Sequence, residues 1–420
     1  MHLIESILAD APAMAALRRD LHAHPELAFE EKRTADVIAA ALTEWGIPVH
    51  RGLGKTGVVG TIRKGSSDRA VGLRADIDAL PMTESNGFPH ASRSPGRMHA
   101  CGHDGHVAML LAAAKHLARH GSFDGTVYVV FQPAEEGGSS GAREMIKGGL
   151  FELFPMEAIF GAHNLPGVGV GQFALRSGPC FASSSSFRIT LEGRGAHAAM
   201  PHLGIDPVPA ACQLVQGFQT IISRNVRPLD SGVISVTKIH AGEAVNVIPE
   251  RCVVEGTVRT FTTEVLDLIE RRMRAMSEAT AAAFECRCQF ELRRVYPPTI
   301  NHDAEVSFAR HVLGEVVGQE NVLEFEPTMG AEDFSFYLLE KPGCYLVIGA
   351  GDGAHREEGH GSDPYTLHNP SYDFNDDLIP IGGSAWVRLA EGWLERPRAI
   401  PRYAEECHGE GPPVTHRVGP

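Results

Sequence analysis

Four short stretches of this chain concentrate side chains that bind cations or move protons. The densest is Met98-His99-Ala100-Cys101-Gly102-His103-Asp104-Gly105-His106, which sets one thiol, three imidazoles and a carboxylate just ahead of an apolar run. A thiolate and an imidazole separated by one residue can face a common point if the backbone turns sharply, and Gly102 permits that turn. The competing explanation is a His-rich helix cap over a buried free Cys. The second stretch, Phe131-Gln132-Pro133-Ala134-Glu135-Glu136-Gly137-Gly138, places two adjacent carboxylates beyond an apolar run and before a Gly-rich turn. Open α/β sheets bind ligands beyond the carboxyl ends of their strands, where a carboxylate pair can divide the work of holding a cation and moving a proton. Taken alone, a Glu pair reads as a solvated loop. His163, in Gly161-Ala162-His163-Asn164, and His368, in Tyr365-Thr366-Leu367-His368-Asn369-Pro370, each read alone as structural. Together the four stretches supply a thiolate, three imidazoles and two carboxylates, an inventory for two divalent ions. Two such ions ~3.5–4 Å apart polarise a carbonyl and bind a nucleophilic water, leaving one carboxylate as base. Amide hydrolysis is the chemistry this suits.

Such groups can meet only if the fold brings them to one place. Helical spacing from Met14 to Trp45, broken at His24-Pro25 and stopped at Gly46, predicts two helices. Short apolar runs at Gly57–Ile62, Ala70–Leu73, Thr126–Phe131 and Ala158–Gly161 read as strands, with a long helix near His106–His120 between the second and third. Strand, helix, strand predicts a parallel sheet. A run at Phe187–Leu191, a helix near Pro207–Ser223, strands at Gly232–His240 and Arg251–Thr260, and a helix near Thr263–Phe284 make a second unit whose strands alternate apolar and polar residues. After Pro297-Pro298 the first pattern resumes, with a strand at Cys344–Gly349 and a final helix over Pro380–Leu394. The expected organisation is a discontinuous α/β unit, residues 1–183 and 295–400, with a mixed, mostly parallel sheet flanked by helices. A smaller α+β insertion spans 184–294, and a poorly ordered tail spans 401–420.

Composition narrows the classes. The 420 residues carry 52 acidic against 38 basic side chains, a net charge of −14 that opposes attraction to phosphate backbones or anionic lipid, so nucleic acid and membrane are not expected partners. No window approaches the ~20 apolar residues of a membrane helix. Acidic residues Glu5 and Asp10 stand where a secretory leader would be basic. The eight cysteines lack framework spacing. A cytoplasmic location is expected.

The chain resembles the M20 peptidase family, in the branch of hippurate hydrolases, N-acyl-L-amino acid amidohydrolases and auxin-conjugate hydrolases, and the likeness covers nearly all of it. It rests on Leu17-Arg-Arg-Asp-Leu-His22-Ala-His24-Pro25-Glu26-Leu27, Leu73-Arg74-Ala75-Asp76-Ile77-Asp78-Ala79-Leu80-Pro81, the Cys101/His103 segment, Gln132-Pro133-Ala134-Glu135-Glu136, Gly193-Arg-Gly-Ala-His197-Ala-Ala-Met-Pro201-His202, Asn246-Val-Ile-Pro249-Glu250 and Met329-Gly-Ala-Glu332-Asp333-Phe334. The resemblance implies a zinc-exopeptidase-like fold with an inserted lid and dimerisation domain. It implies Cys101, His103, Glu136, His163 and His368 as ligands of two divalent metal ions and Glu135 as general base. The donor set suits Zn or Mn, with Co or Ni compatible. Related branches place a ligand His two positions ahead of an Asp before Pro81, where this chain has Asp76 and Asp78. Asp78 is read as orienting a metal-bound His, and Asp76 as structural. His197 would reach the active site of a partner subunit and stabilise the tetrahedral oxygen, which implies a homodimer or larger homo-oligomer formed through the lid. Asn246 and Arg259 would hold the carboxylate of a small N-acyl amino acid substrate. His22 and His24 read as structural or supporting groups. His355 and His360 read as solvated, and Cys286 and Cys288 as idle thiols. A dipeptide-cleaving metallo-exopeptidase, a thiol hydrolase using Cys101 and His103, and a metal-binding scaffold without activity remain alternatives.

Overall fold

A computed structural model of the chain describes residues 1–396, so the tail expected at 401–420 lies outside the described residues. The expected helix pair is Glu5–Ala23 and Lys32–Glu44, with the break at His24-Pro25 where proline denies a backbone donor. An eight-stranded sheet follows the order Val49–Leu53, Gly57–Lys64, Gly125–Gln132, Ala70–Asp76, Ala158–Pro166, Gly343–Gly351, Phe173–Leu175 and Val322–Glu324. Its central strands pair in parallel, while Gly57–Lys64 joins Gly125–Gln132 antiparallel. The mixed, mostly parallel α/β sheet read from the sequence is therefore present.

Both faces are covered, which is why its strands are apolar without alternation. Ala70–Asp76 is buried at every position. One face carries His103–His120, Leu378–Glu395 and Asp303–Val317 over a core that includes Leu73, Val129, Phe160 and Leu346. The other carries Gly141–Lys147 and Ser335–Glu340 over Val130, Ile159, Phe334 and Tyr345.

The chain leaves this sheet after Leu175, pairs Gly178–Phe181 with Thr299–Asn301, and builds a four-stranded antiparallel sheet, ordered Gly232–Ala241, Arg251–Thr260, Ser184–Glu192, Arg287–Tyr296. Pro207–Asn225 and Thr263–Ala283 cover one face through Leu214, Phe218, Ile269 and Met273. Thr262 starts the second helix by accepting from the Val265 N–H at 3.3 Å. The strand Arg287–Tyr296 has no counterpart in the sequence reading. Cys288, Phe290 and Leu292 do alternate with Gln289, Glu291 and Arg293, but the charged residues mask the short period. Among the described residues no helix is long and apolar enough to cross a membrane.

Candidate metal centre

The second stretch sits where a strand of the large sheet ends, and the first where a helix begins. Ala70–Asp76 runs on to Asp78, Gly125–Gln132 to Glu135 and Glu136, and His163 lies near the end of Ala158–Pro166. Between Cys101 and His103, Gly102 takes φ +92° and opens the helix His103–His120. A side chain at Gly102 would bring its Cβ within 2.4 Å of Asn164 Oδ1 and 2.7 Å of the Tyr372 hydroxyl, so only glycine allows both the turn and the approach. Two other site residues hold left-handed backbone without being glycine, Ala134 at φ +54° and His368 at φ +58°. Such conformations cost on the order of 1–3 kcal/mol and persist where surrounding contacts enforce them.

These side chains converge. Cys101 Sγ lies 3.2 Å from His163 Nε2, and His368 Nε2 lies 3.2 Å from Glu136 Oε1. The potential donor atoms of Cys101, His103 and His163 fall within 4.8 Å of one another, as do those of Cys101, Glu136 and His368, and those of His103, Glu135 and Glu136. The first two sets share the Cys101 sulfur. Around them opens a cleft of about 270 Å³, with Leu165, Phe181, Val347 and Leu367 among its apolar lining.

Asp78 grips two of the converging residues. His103 Nδ1 donates to the Asp78 carbonyl at 2.9 Å and lies 3.2 Å from Oδ1, while Oδ2 accepts from the Glu136 N–H at 2.9 Å. That leaves His103 Nε2 buried and without a hydrogen-bond partner. Asp76 is closer to the centre than its structural reading implied. His106 Nδ1 donates to Asp76 Oδ1 at 2.5 Å, Arg74 Nη1 contacts Oδ2 at 2.7 Å, and His103 Nε2 is 3.7 Å from Oδ2.

Negative charge is in excess here. Arg74 is buried against Asp76, Glu332 and Asp333, and Glu135 adjoins the same group. Burial, then the charges of Glu332, Glu136 and Asp333, hold the Glu135 carboxyl well above the ordinary range. Burial, then Glu136, push the Cys101 thiol up to about 12. A thiol so placed is a poor nucleophile, which argues against the thiol-hydrolase alternative. Burial, then His106, hold His163 well below its ordinary value, which keeps its imidazole neutral and able to donate a lone pair. The overlapping donor sets, the unpartnered His103 nitrogen and the uncompensated carboxylates all fit a pair of divalent cations.

The lid residues lie elsewhere in this chain. His197 pairs with Val247 in a two-stranded ribbon and is exposed, as is Asn246, whose carbonyl accepts from Ala198 N–H at 3.0 Å. Arg259 is half-buried on the lid strand, bonded to the Val258 carbonyl, and burial alone lowers its pKa. None of the three lines the cleft.

The solvated reading of His355 and His360 is corrected. His360 Nε2 lies 3.2 Å from Asp373 Oδ2, His355 Nε2 lies 3.3 Å from the Asp373 carbonyl, and both line a second cavity of about 500 Å³ with His90 and Phe88. A loop can cover its own histidines, which composition does not report. His22 is fully buried between Asp104 and Glu84, and His24 bonds the Asp20 carbonyl at 2.8 Å. Cys286 is buried and Cys288 partly so. Sequence reasoning assigned no part to Arg74, His106, Glu332 or Asp333. The signal for the first was available, since an Arg inside a wholly apolar strand needs buried partners.

Comparison with known proteins agrees with this geometry. The chain is 40% identical to a hippurate hydrolase of Campylobacter jejuni, over 94% of its own length and 100% of the relative's. It is 42% identical to an N-acetyl-L-cysteine deacetylase of Bacillus subtilis, over 87% and 84%. The crystal structure of a Bacillus subtilis dinuclear metal binding peptidase of the M20 family superposes with a TM-score of 0.79 at 33% identity, covering 92% of this chain and 99% of that one. The sequence profile of peptidase family M20/M25/M40 matches residues 72–392, and the chain belongs to that family.

Proposed function

We propose that this protein is a metal-dependent amidohydrolase that cleaves small N-acyl-L-amino acids, hippurate-like or N-acetylated, to a carboxylic acid and a free amino acid. The observation that carries this is the pair of donor sets sharing Cys101, with Glu135 beside them in a cleft of ligand size. Cys101, His103, Glu136, His163 and His368 would hold the two cations, with Asp78 fixing the His103 ring and the Glu136 backbone. When bound, the cations supply Lewis acidity to the acyl carbonyl and acidify the attacking water. Glu135 takes the proton from that water and passes it to the leaving nitrogen. Burial and the neighbouring carboxylates raise its affinity for a proton, as a group that must accept one requires. The apolar walls receive the acyl group.

Arg259 has no carboxylate bonded to it among the described residues, which supports its pairing with the substrate carboxylate, with Asn246 beside it in that duty. His197 and Asn246 are exposed and outside their own chain's cleft, which supports a homodimer or larger homo-oligomer in which the lid serves a partner's site. Zn or Mn is the proposed metal, with Co or Ni able to replace it. Seven free cysteines among the described residues support a reducing, cytoplasmic setting.

Elemental analysis combined with an activity screen tests the reading. Close to two divalent ions per chain and turnover of benzoyl-glycine or N-acetyl amino acids above that of free dipeptides are expected. Faster cleavage of dipeptides would make the protein an exopeptidase instead, and activity surviving thorough chelation would remove the metal assignment.

A further inference from the structure

The turn that carries Glu135 is held by three backbone contacts at three successive residues, each from a different part of the chain. Glu31 Oε1, buried, accepts from the Ala134 N–H at 2.9 Å. The Tyr296 hydroxyl donates to the Glu135 carbonyl. Asp78 Oδ2 accepts from the Glu136 N–H at 2.9 Å. Glu31 and Asp78 belong to the layers around the large sheet. Tyr296 does not.

Tyr296 is the last residue of the lid strand Arg287–Tyr296 and pairs with Ser184, the first residue of the lid sheet, so it stands where the chain crosses between the two units. It is buried, it packs edge-on against Phe336 with ring centroids 6.2 Å apart, and it lines the cleft. Pro297-Pro298 follow, which fixes the backbone leaving the ring. A side chain at the crossing between the two units, bonded to the peptide of the proton carrier, links the position of the smaller sheet to that of the catalytic turn.

We propose that Tyr296 is a positioning residue that ties the lid strand to the Glu135 turn, so that the proton carrier is aligned only when the lid is correctly seated. The inference rests on the reading of Glu135 as general base. Its distinguishing feature is the hydroxyl, because the ring alone would satisfy a packing role.

Tyr296→Phe keeps the ring and removes the bond. The expected result is kcat lower by roughly 5- to 10-fold, the scale of one lost hydrogen bond in the aligned state, with KM for an N-acyl amino acid, metal per chain and thermal midpoint little changed. Ser183→Ala serves as the second variant. Ser183 sits at the other crossing, where its Oγ lies 2.9 Å from Thr260 Oγ1 with no bond to the turn, and its loss should leave kcat unchanged. An unchanged kcat in Tyr296→Phe, or an equal drop in both variants, overturns the inference while wild-type hydrolysis keeps the functional reading intact. A wild-type protein that hydrolyses none of the acyl substrates overturns both.

Discussion

Two histidine- and carboxylate-rich regions flank the start of the helix His103–His120, and they differ in charge balance. On the side of Asp104, acids meet cations. Arg18 contacts Asp104, Asp373 and Asp376, His22 lies between Asp104 and Glu84, and His90 and His360 both lie 3.2 Å from Asp373 Oδ2. Burial works against charge on His22, yet Asp104 and Glu84 overcome it and push the imidazole up to about 10. On the side of Cys101, donor atoms face one another, one imidazole nitrogen is unpartnered, and Arg74 is shared among several carboxylates. The balanced region adjoins the larger cavity, about 500 Å³ against about 270 Å³. Cavity size therefore does not select the functional site, and neither do unpartnered atoms, since both His99 nitrogens and Asp104 Oδ1 are also buried without partners on the balanced side; convergence of several donor atoms on one point does. A network whose charges cancel internally holds a fold, whereas one that cancels only with cations added binds them.

The comparison can be broken on either side. The largest effect belongs to Glu135→Gln, expected to lower kcat by about 10²–10⁴-fold with metal content retained; steady-state kinetics beside elemental analysis would show otherwise if turnover persisted. Next is Gly102→Ala, which forces a Cβ onto Asn164 and Tyr372 at a left-handed φ. It should cost about 1–3 kcal/mol in denaturant unfolding and release at least one cation per chain. On the balanced side, the raised pKa of His22 sets a pH window. Its stabilisation is complete below the unfolded-chain value near 6.5 and fades as pH climbs toward about 10. The gap in unfolding free energy between wild type and His22→Gln, on the order of 3 kcal/mol at pH 7, should narrow steadily up to pH 10. A gap independent of pH would mean that His22 is not charged in the fold. The smallest effect is expected of His360→Ala, whose kcat and metal stoichiometry should stay within about twofold of wild type, because His360 lines the other cavity and belongs to none of the converging donor sets. A large loss there would erase the distinction between the two regions.

Much of this was legible before any coordinates. Short apolar runs with a helix between them announced a parallel sheet, and the break at His24-Pro25 and the crossover helix appear where expected. Arg287–Tyr296 escaped because an edge strand of the lid, wet on one face, carries too many charges to stand out from a loop. Glu135, Glu136, His163 and His368 were each ambiguous alone, and their combination with the denser Cys101/His103 stretch, together with the family resemblance, singled them out.

Residue types and local spacing therefore determined the donor inventory, the turn at Gly102 and the α/β alternation, because each depends on chemistry and on backbone geometry within a few residues. Tertiary structure alone decided which carboxylates find a cation, that His360 is drawn onto Asp373, and that Tyr296 reaches the Glu135 carbonyl. Those outcomes depend on distances between segments separated by as many as 358 positions in the chain. Such distances are set by how layers pack, and no local pattern encodes them.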